Sequence, residues 1–181
     1  MDEPGYRAGN RQDFERLYRQ AHPRLVRSLQ PILGPSAAED CVQEAMTRAY
    51  RAWDKWKGDA PAEAWLHRIA FNLALSYRRR ERILEFVSIF HPSMAGRLKA
   101  DSGRTDSDLT MAVRRLPALL AAIVVLRGYH GYSNREIASM LGVSERTVGS
   151  RWSKAMARLR EDLSDQASDL EPAERLKSWT R

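Results

Sequence analysis

The stretch SNREIASMLGVSERTVGSRWSKAMARLR, residues 133–160, decides how the second half of this chain folds. Ser133 followed by Glu136 is a capping box, in which each side chain satisfies a backbone donor at the start of a helix. Gly142 is placed to adopt the left-handed conformation that ends this helix. Ser144 is then placed to cap a second helix. The pattern predicts two helices joined by a tight turn.

The second of these helices is predicted to have one apolar face and one basic face. Its apolar residues recur at spacings of four, four and three, as in a buried helical stripe: Val148, Trp152, Met156 and Leu159. The opposite face carries polar and basic residues: Arg146, Ser150, Arg151, Lys154 and Arg158. A short first helix followed by a basic second helix is typical of the DNA-binding helix-turn-helix. The alternative is an ordinary antiparallel helix pair with a solvated basic face.

Composition favours an all-α protein that binds a polyanion. The chain has 181 residues, 43 % of them hydrophobic, so a core can be buried, and long alternating strand patterns are lacking. The net charge is +7, and residues 110–160 carry nine basic and two acidic side chains. Such a balance suits nucleic acid, although ribosome-associated and membrane-surface proteins share it.

We predict two small helical domains joined by a flexible linker, with the helix-turn-helix in the C-terminal domain. Proline and glycine among small polar residues mark the linker. The predicted divisions are a first domain at 10–82, the linker at 83–108, a second domain at 109–163 and a tail at 164–181.

The first domain is predicted to contain four helices. The first should be interrupted near Pro23, because proline disfavours helix in the preceding residue. A second helix should begin with a capping box of Ser36 and Glu39, and Tyr50 should lie on its apolar stripe. The last helix should run from Ala62 to about residue 82.

Catalytic and metal-binding functions are not expected. Cys41 is the single cysteine, which excludes an internal disulfide and a cysteine-based zinc site. It is expected to be a packed thiol on a helical apolar face. The four histidines are scattered, without metal-ligand spacing or a neighbouring nucleophile. We therefore expect no enzyme, no cofactor, no metal and no small-molecule substrate.

Three segments resemble one bacterial family. AEDCVQEAMTRAYRAW (Ala38–Trp53) and KGDAPAEAWLHRIAFNLALSYRRR (Lys57–Arg80) are similar to region 2 of RNA polymerase sigma factors of the extracytoplasmic-function (ECF) group. The segment from Leu116 to Arg160 is similar to region 4 of the same group. All three occur in the family's order and spacing, and together they cover about half of the chain.

The resemblance implies that region 4 reads the −35 promoter element in the major groove. Arginine can bond a guanine edge with two hydrogen bonds, whereas lysine more often contacts phosphate. The residues implied are Ser144, Glu145, Arg146, Ser150, Arg151 and Lys154.

The resemblance also implies that region 2 melts the −10 element and holds the exposed single strand. Single-stranded DNA requires cations and aromatic stacking surfaces. The residues implied are Lys55, Trp56, Lys57, Arg68 and Asn72, of which Asn72 matches the family's asparagine. Core packing is the alternative role for Trp56, and it is the expected role for Trp65.

A polar helical face in region 2 is implied to bind the largest subunit of core RNA polymerase. It comprises Asp40, Gln43, Glu44, Thr47, Arg48 and Arg51. A solvated face is the alternative. The implied partners are core RNA polymerase, promoter DNA and an anti-sigma factor. We expect a bacterial cytoplasmic protein, which an anti-sigma factor could hold at the membrane. The rival function is a stand-alone helix-turn-helix regulator that binds duplex DNA without polymerase.

Several features depart from the family pattern, among them Trp152 in place of the usual leucine or isoleucine. Gly149 lies inside the recognition helix, where it either lets the backbone approach DNA or weakens a contact. The apolar run Ala118–Val125 predicts either a deeper core or a partner surface. Ile83–Phe90 is too apolar for a plain linker, and we hypothesise that it packs on region 2 or on an inhibitory partner.

Overall fold

A computed structural model describes residues 5–90 and 108–163, and for residues 84–90 it describes the backbone alone. The described residues form seven α-helices and no strand, which confirms the all-α prediction. The helices are α1 (Arg11–Leu33), α2 (Pro35–Arg51), α3 (Ala62–Phe90), α4 (Asp108–Arg115), α5 (Ala118–Val124), α6 (Asn134–Leu141) and α7 (Glu145–Leu163).

Helix α1 continues through both of its prolines, so the predicted interruption near Pro23 is wrong. A proline inside a helix removes one backbone hydrogen bond and costs about 3 kcal/mol. Packing against α2 and α3 outweighs this cost, because the apolar stripe of α1 is almost fully buried at Leu17, Leu25 and Leu29. The first domain therefore has three α-helices and a short 3₁₀ turn (Trp53–Lys55) instead of four helices.

The start of α2 also differs from the prediction. Gly34 is the N-cap residue, with φ of 88°, and Pro35 occupies the first helical position. Proline is suited to this position because its missing N–H would have no partner there. Ser36 already lies within the helix, so it cannot form the predicted capping box. Glu39 Oε1 instead lies 3.4 Å from His22 Nε2 on α1.

The predicted apolar stripe of α2 is buried except at Tyr50. Cys41 is fully buried, as predicted, and burial raises the pKa of its thiol to about 12. Tyr50 is 54 % exposed, so its assignment to the core is wrong. Its ring instead lies at the edge of the core, with its centroid 5.2 Å from that of Phe14.

Helix α3 extends beyond the predicted end near residue 82. It continues to Phe90, so the first eight residues of the predicted linker are helical. Ile83 is 56 % exposed and does not pack on region 2. The described part of the chain does not include the side chains of 84–90, linker residues 91–107 or the tail 164–181. The rest of the hypothesis about Ile83–Phe90 depends on these side chains and therefore stays a hypothesis.

The two halves of the chain pack directly on each other. Helix α4 contacts α1, while α5 and α6 contact α3. Arg78 on α3 donates to the Ile32 carbonyl and to the Arg114 carbonyl, each at 3.2 Å. Arg114 in turn donates to the Gln30 carbonyl at 3.2 Å. The apolar run of α5 is buried because it contacts α1, α3 and α7, which favours the deeper core over a partner surface.

Replacing Ser133 with alanine should lower the free energy of unfolding by about 1 kcal/mol, the usual cost of losing an N-cap. The Ser133 hydroxyl accepts a hydrogen bond from the Glu136 backbone N–H, and the Glu136 carboxylate accepts one from the Ser133 backbone N–H. Urea denaturation followed by circular dichroism measures the change. Ser36→Ala is the matched control, because Ser36 makes no capping hydrogen bond. Equal losses in both variants would contradict the assignment of the cap.

Candidate nucleic-acid interface

The helix-turn-helix has the geometry that the sequence predicts. Helix α6 begins at the Ser133–Glu136 capping box and ends at Gly142, which is left-handed with φ of 66° and ψ of 36°. The Ser144 hydroxyl then caps α7 by accepting a hydrogen bond from the Thr147 backbone N–H at 3.1 Å. These two caps set the angle at which α7 leaves the turn, and thereby the direction of its basic face.

The inner face of α7 is apolar. The predicted stripe placed Trp152 in the core, but its side chain is only partly buried. Val148, Met156 and Leu159 are buried, whereas Trp152 is half-buried at the edge of the core. Arg127 covers its ring, with the guanidinium carbon 4.6 Å from the ring centroid.

Arg127 also fixes α7 to the start of α6. It lies in a π-helical segment, Val125–Tyr129, that extends α5 and was not predicted. Its guanidinium donates to Asn134 Oδ1 at 3.0 Å while it covers Trp152. Sequence periodicity does not predict a π-helix. The contacts by which Arg127 links α5, α6 and α7 could therefore be found only from the tertiary structure.

The outer face of α7 and its N-terminus present every predicted −35 residue to solvent. All six are exposed: Ser144, Glu145, Arg146, Ser150, Arg151 and Lys154. Two of the hydroxyls also serve the helix, since Ser144 caps it and Ser150 donates to the Thr147 carbonyl at 3.1 Å. The cations Arg146, Arg151 and Lys154 have no ion pair among the described residues. They are therefore available to an anionic partner.

Replacing Gly149 with alanine should raise the free energy of unfolding by about 1 kcal/mol, the helix-propensity difference between the two residues. An added Cβ would lie 3.7 Å from Asn134 Nδ2, which is an ordinary van der Waals contact. Urea denaturation measures the gain. An alanine variant that is less stable than the parent would contradict this prediction.

Trp56 packs on the core with one face of its ring and lines an open cavity with the rest. One face of its ring stacks on the buried Trp53 ring, at 5.0 Å between centroids and 5° between planes. Its indole N–H donates to the Ala60 carbonyl at 3.2 Å. The side chain is nevertheless only half-buried, and it lines an open cavity. Trp65, expected in the core, is half-buried against Trp53 at 5.9 Å.

The predicted −10 residues lie around two adjoining depressions. Lys55, Trp56, Lys57 and Arg68 line a cavity of about 440 Å³, whose other wall is formed by Glu136, Ser139 and Met140 of α6. Arg68 and Asn72 line a second groove of about 480 Å³ between α2 and α3. The fold thus brings all five predicted residues into one continuous area.

Asn72 is exposed, but its amide is already hydrogen-bonded. Its Nδ2 atom donates to the Arg68 carbonyl at 2.7 Å and to the Met140 carbonyl of α6 at 2.8 Å. The second bond joins the two halves of the chain. Asn72 can present this N–H group to a DNA base only if α6 moves away.

The predicted polymerase-binding face of α2 is a single outward surface. Asp40, Gln43, Thr47, Arg48 and Arg51 are exposed, and Glu44 is half-buried. Glu44 is held between the Arg48 guanidinium and the Tyr77 hydroxyl, which donates to its Oε2 atom at 2.9 Å. The hydrogen bonds from Tyr77 and Arg48 lower the pKa of the Glu44 carboxyl, so this part of the face stays anionic.

Sequence reasoning missed one cluster, which we call the interdomain histidine cluster: His67, His130 and Tyr132. His67 on α3 is 1 % exposed, and its Nδ1 atom is hydrogen-bonded to the Tyr132 hydroxyl at 2.7 Å. The His67 and His130 ring centroids lie 4.2 Å apart. No local signal predicts this cluster, because His67 is separated from His130 and Tyr132 by more than sixty residues.

The described residues contain neither a cluster of metal ligands nor a membrane-spanning helix. No three His, Cys, Asp or Glu side chains are grouped so that they could hold a metal ion. None of the described helices combines the length and apolar character required to cross a bilayer.

Comparison with known proteins identifies the family. Residues 17–83 match Sigma-70 region 2, and residues 107–159 match Sigma-70 region 4. The chain is also 35 % identical over 155 residues to the ECF RNA polymerase sigma factor SigM of Mycobacterium tuberculosis, an alignment that covers 84 % of this chain and 78 % of SigM. This chain belongs to the ECF sigma factors. It is a DNA-binding regulatory protein that directs transcription initiation.

Two solved structures share the fold. The sigma factor RpoE of Bartonella quintana, in complex with the anti-sigma factor NepR, matches with a TM-score of 0.68 and 26 % identity, over 86 % of this chain and 99 % of RpoE. CnrH, in complex with the cytosolic domain of CnrY, matches with a TM-score of 0.64 and 26 % identity, over 88 % of this chain and 92 % of CnrH.

Proposed function

We propose that this ECF sigma factor reads the −35 promoter element as duplex through α7 and the −10 element as a single strand through region 2. One observation carries the proposal. Among the described residues, the chain presents Arg146, Arg151 and Lys154 on α7 as exposed cations without an ion pair, and a separate area of tryptophan, cations and an amide. The first suits the major groove of duplex DNA, and the second suits single-stranded DNA.

In the −35 complex, Arg146 and Arg151 read base edges and Lys154 contacts phosphate. A guanidinium matches the two acceptors of guanine in the major groove, whereas an ammonium acts as a point charge that positions the protein. Ser144, Glu145 and Ser150 lie beside them at the start of α7 and contact edges or phosphates.

In the −10 complex, Trp56 supplies a stacking surface beside Lys55, Lys57 and Arg68. The cations follow the phosphate backbone, and the free part of the indole accepts a base. Asn72 then reads a base edge, because its amide can both donate and accept hydrogen bonds.

Core RNA polymerase binds the polar face of α2. Mixed charges around a central glutamine favour an interface that selects the partner and sets its register. Glu44, held by Tyr77 and Arg48, provides a fixed anion in this face. The functional division is region 2 at 10–82, a linker at 83–108, region 4 at 109–163 and a tail at 164–181.

An anti-sigma factor is a further partner of this chain. The support is that the similar sigma factor RpoE was solved in complex with an anti-sigma factor, NepR. The chain acts in the bacterial cytoplasm, where core polymerase and promoters are located, and an anti-sigma factor anchored in the membrane would hold it there.

Run-off transcription on a promoter library tests the proposal. The purified chain is assayed with core polymerase, without it, and with core polymerase alone. We expect transcripts from a narrow set of promoters only when both proteins are present. Tight binding of the chain alone to duplex DNA, with no polymerase-dependent transcript, would instead support the stand-alone regulator.

A further inference from the structure

We propose that the interdomain histidine cluster holds regions 2 and 4 in a closed arrangement that obstructs the −10 surface, and that protonation of the cluster opens it. This inference rests on the proposed −10 role of region 2 and adds a regulatory step to it. The closed arrangement is the one described above, with α6 packed on α3.

The closed arrangement blocks the surface in two ways. The Asn72 amide donates a hydrogen bond to the Met140 carbonyl at 2.8 Å, so this N–H group is not available to a DNA base. Helix α6 also forms one wall of the cavity whose other wall carries Trp56 and Arg68. A single strand that follows this surface would meet α6, so promoter melting requires that the two regions separate.

The histidine cluster lies at the same interface, where burial disfavours the additional proton that would make either ring cationic. His67 Nε2 and both ring nitrogens of His130 are buried and lack a hydrogen-bond partner among the described residues. A second proton on His130 would place a buried charge without a hydrogen-bond partner, and one on His67 would face only Glu63, which Arg24 already engages; both are unfavourable. In the open chain, both rings would regain water.

The charged groups around the cluster do not compensate for such a proton. Arg24 on α1 is a cation and opposes it, and Tyr132 is already bonded to His67. Glu63 on α3 lies 3.8 Å from His67 Nε2, but its Oε1 atom accepts a hydrogen bond from Arg24 at 2.8 Å. Glu136 on α6 is held by Ser133 in the capping box. The other titratable groups of the described residues that line the same cavity are Tyr6 and the exposed Asp59. Tyr129 also faces the cluster, with its ring 4.8 Å from that of His130.

Burial lowers the pKa of His67 to about 3 and that of His130 to about 2, with the nearby positive charge of Arg24 adding to the effect. A histidine whose pKa is lowered in the closed form stabilises that form above its ordinary pKa of about 6.5. The stabilisation is lost as the pH falls below that value. For each histidine that regains its ordinary pKa on opening, the ratio of closed to open chains falls about 10-fold per pH unit below that pKa.

Fluorescence energy transfer on the full chain measures the opening. Dyes are attached through Gln12→Cys on α1 and Ala157→Cys on α7, both exposed positions. The native Cys41 is fully buried and, with the pKa of its thiol raised, does not react. From pH 7.5 to pH 5.5 we expect the ratio of closed to open chains to fall by up to about 100-fold for two histidines. Helical circular dichroism should remain unchanged.

Three variants separate the cluster from other effects of pH. His22→Gln, on α1 outside the interface, should open like the parent. In His130→Gln, the change in the ratio of closed to open chains between pH 7.5 and 5.5 should be about 10-fold smaller than in the parent. Adding His67→Gln should remove the remaining change. Energy transfer that is constant in the parent between pH 7.5 and 5.5 would overturn the proposal, and so would an unchanged response in His130→Gln.

Failure of this inference differs from failure of the proposed function. A chain that initiates transcription with core polymerase but shows no pH-dependent opening would support the proposed function and contradict the histidine switch. A chain that opens as the pH falls but gives no polymerase-dependent transcript would support the histidine switch and contradict the proposed function.

Discussion

Replacing Phe71 with alanine is expected to lower the free energy of unfolding by about 3–5 kcal/mol, the range for truncating a buried phenylalanine. Phe71 is fully buried on α3. Its ring centroid lies 6.3 Å from that of His67 and 5.9 Å from that of His130, so it supports both the region 2 core and the interface with region 4. Truncation leaves a cavity at the point where the two regions meet. Urea denaturation followed by circular dichroism measures the loss.

Ile83→Ala is the matched control, because Ile83 is on the same helix but 56 % exposed. A surface truncation of this kind usually changes stability by less than about 0.5 kcal/mol. A loss below about 1 kcal/mol in Phe71→Ala, against the 3–5 kcal/mol expected for a buried ring, would show that the two regions do not share this packing in solution.

Replacing Arg146 with alanine is expected to weaken promoter-directed initiation by about 5- to 150-fold, which corresponds to the 1–3 kcal/mol of a bidentate base contact. Arg146 is exposed near the start of α7, with no ion pair among the described residues. Its loss should relax sequence preference at one −35 position, because a base contact is lost while the phosphate contacts remain. Run-off transcription on promoters randomised at that element measures both effects.

Lys154→Ala provides the comparison on the same helix. A phosphate contact should weaken binding about equally on every promoter and reduce its dependence on salt. If Arg146→Ala also weakened all promoters equally, with no change in sequence preference, its role would be a phosphate contact.

Local signals predicted much of the second half of the chain. The capping box at Ser133, the left-handed Gly142 and the cap at Ser144 depend on residues within four positions of one another. Such short-range hydrogen bonds favour the same geometry in almost any surroundings. The outward placement of the α7 cations follows from helical periodicity in the same way.

Local signals failed where packing opposed them. Pro23 is a helix breaker by local preference, yet α1 continues because its apolar face is buried against two other helices. Ser36 had the right neighbours for a cap, but Gly34 and Pro35 join α1 to α2 too closely for it to serve. In each case, burial or chain geometry outweighed a preference of about 1–3 kcal/mol.

The sequence by itself determined the all-α fold, the helix-turn-helix and the family, because these rest on periodicity, caps and motifs that neighbouring residues encode. Only the tertiary structure decided the contact between regions 2 and 4. Asn72 meets Met140, and His67 meets Tyr132, across more than sixty residues. No local pattern specifies such pairs, since they form only when the buried faces of α3, α5 and α6 pack together and exclude water from the polar groups between them.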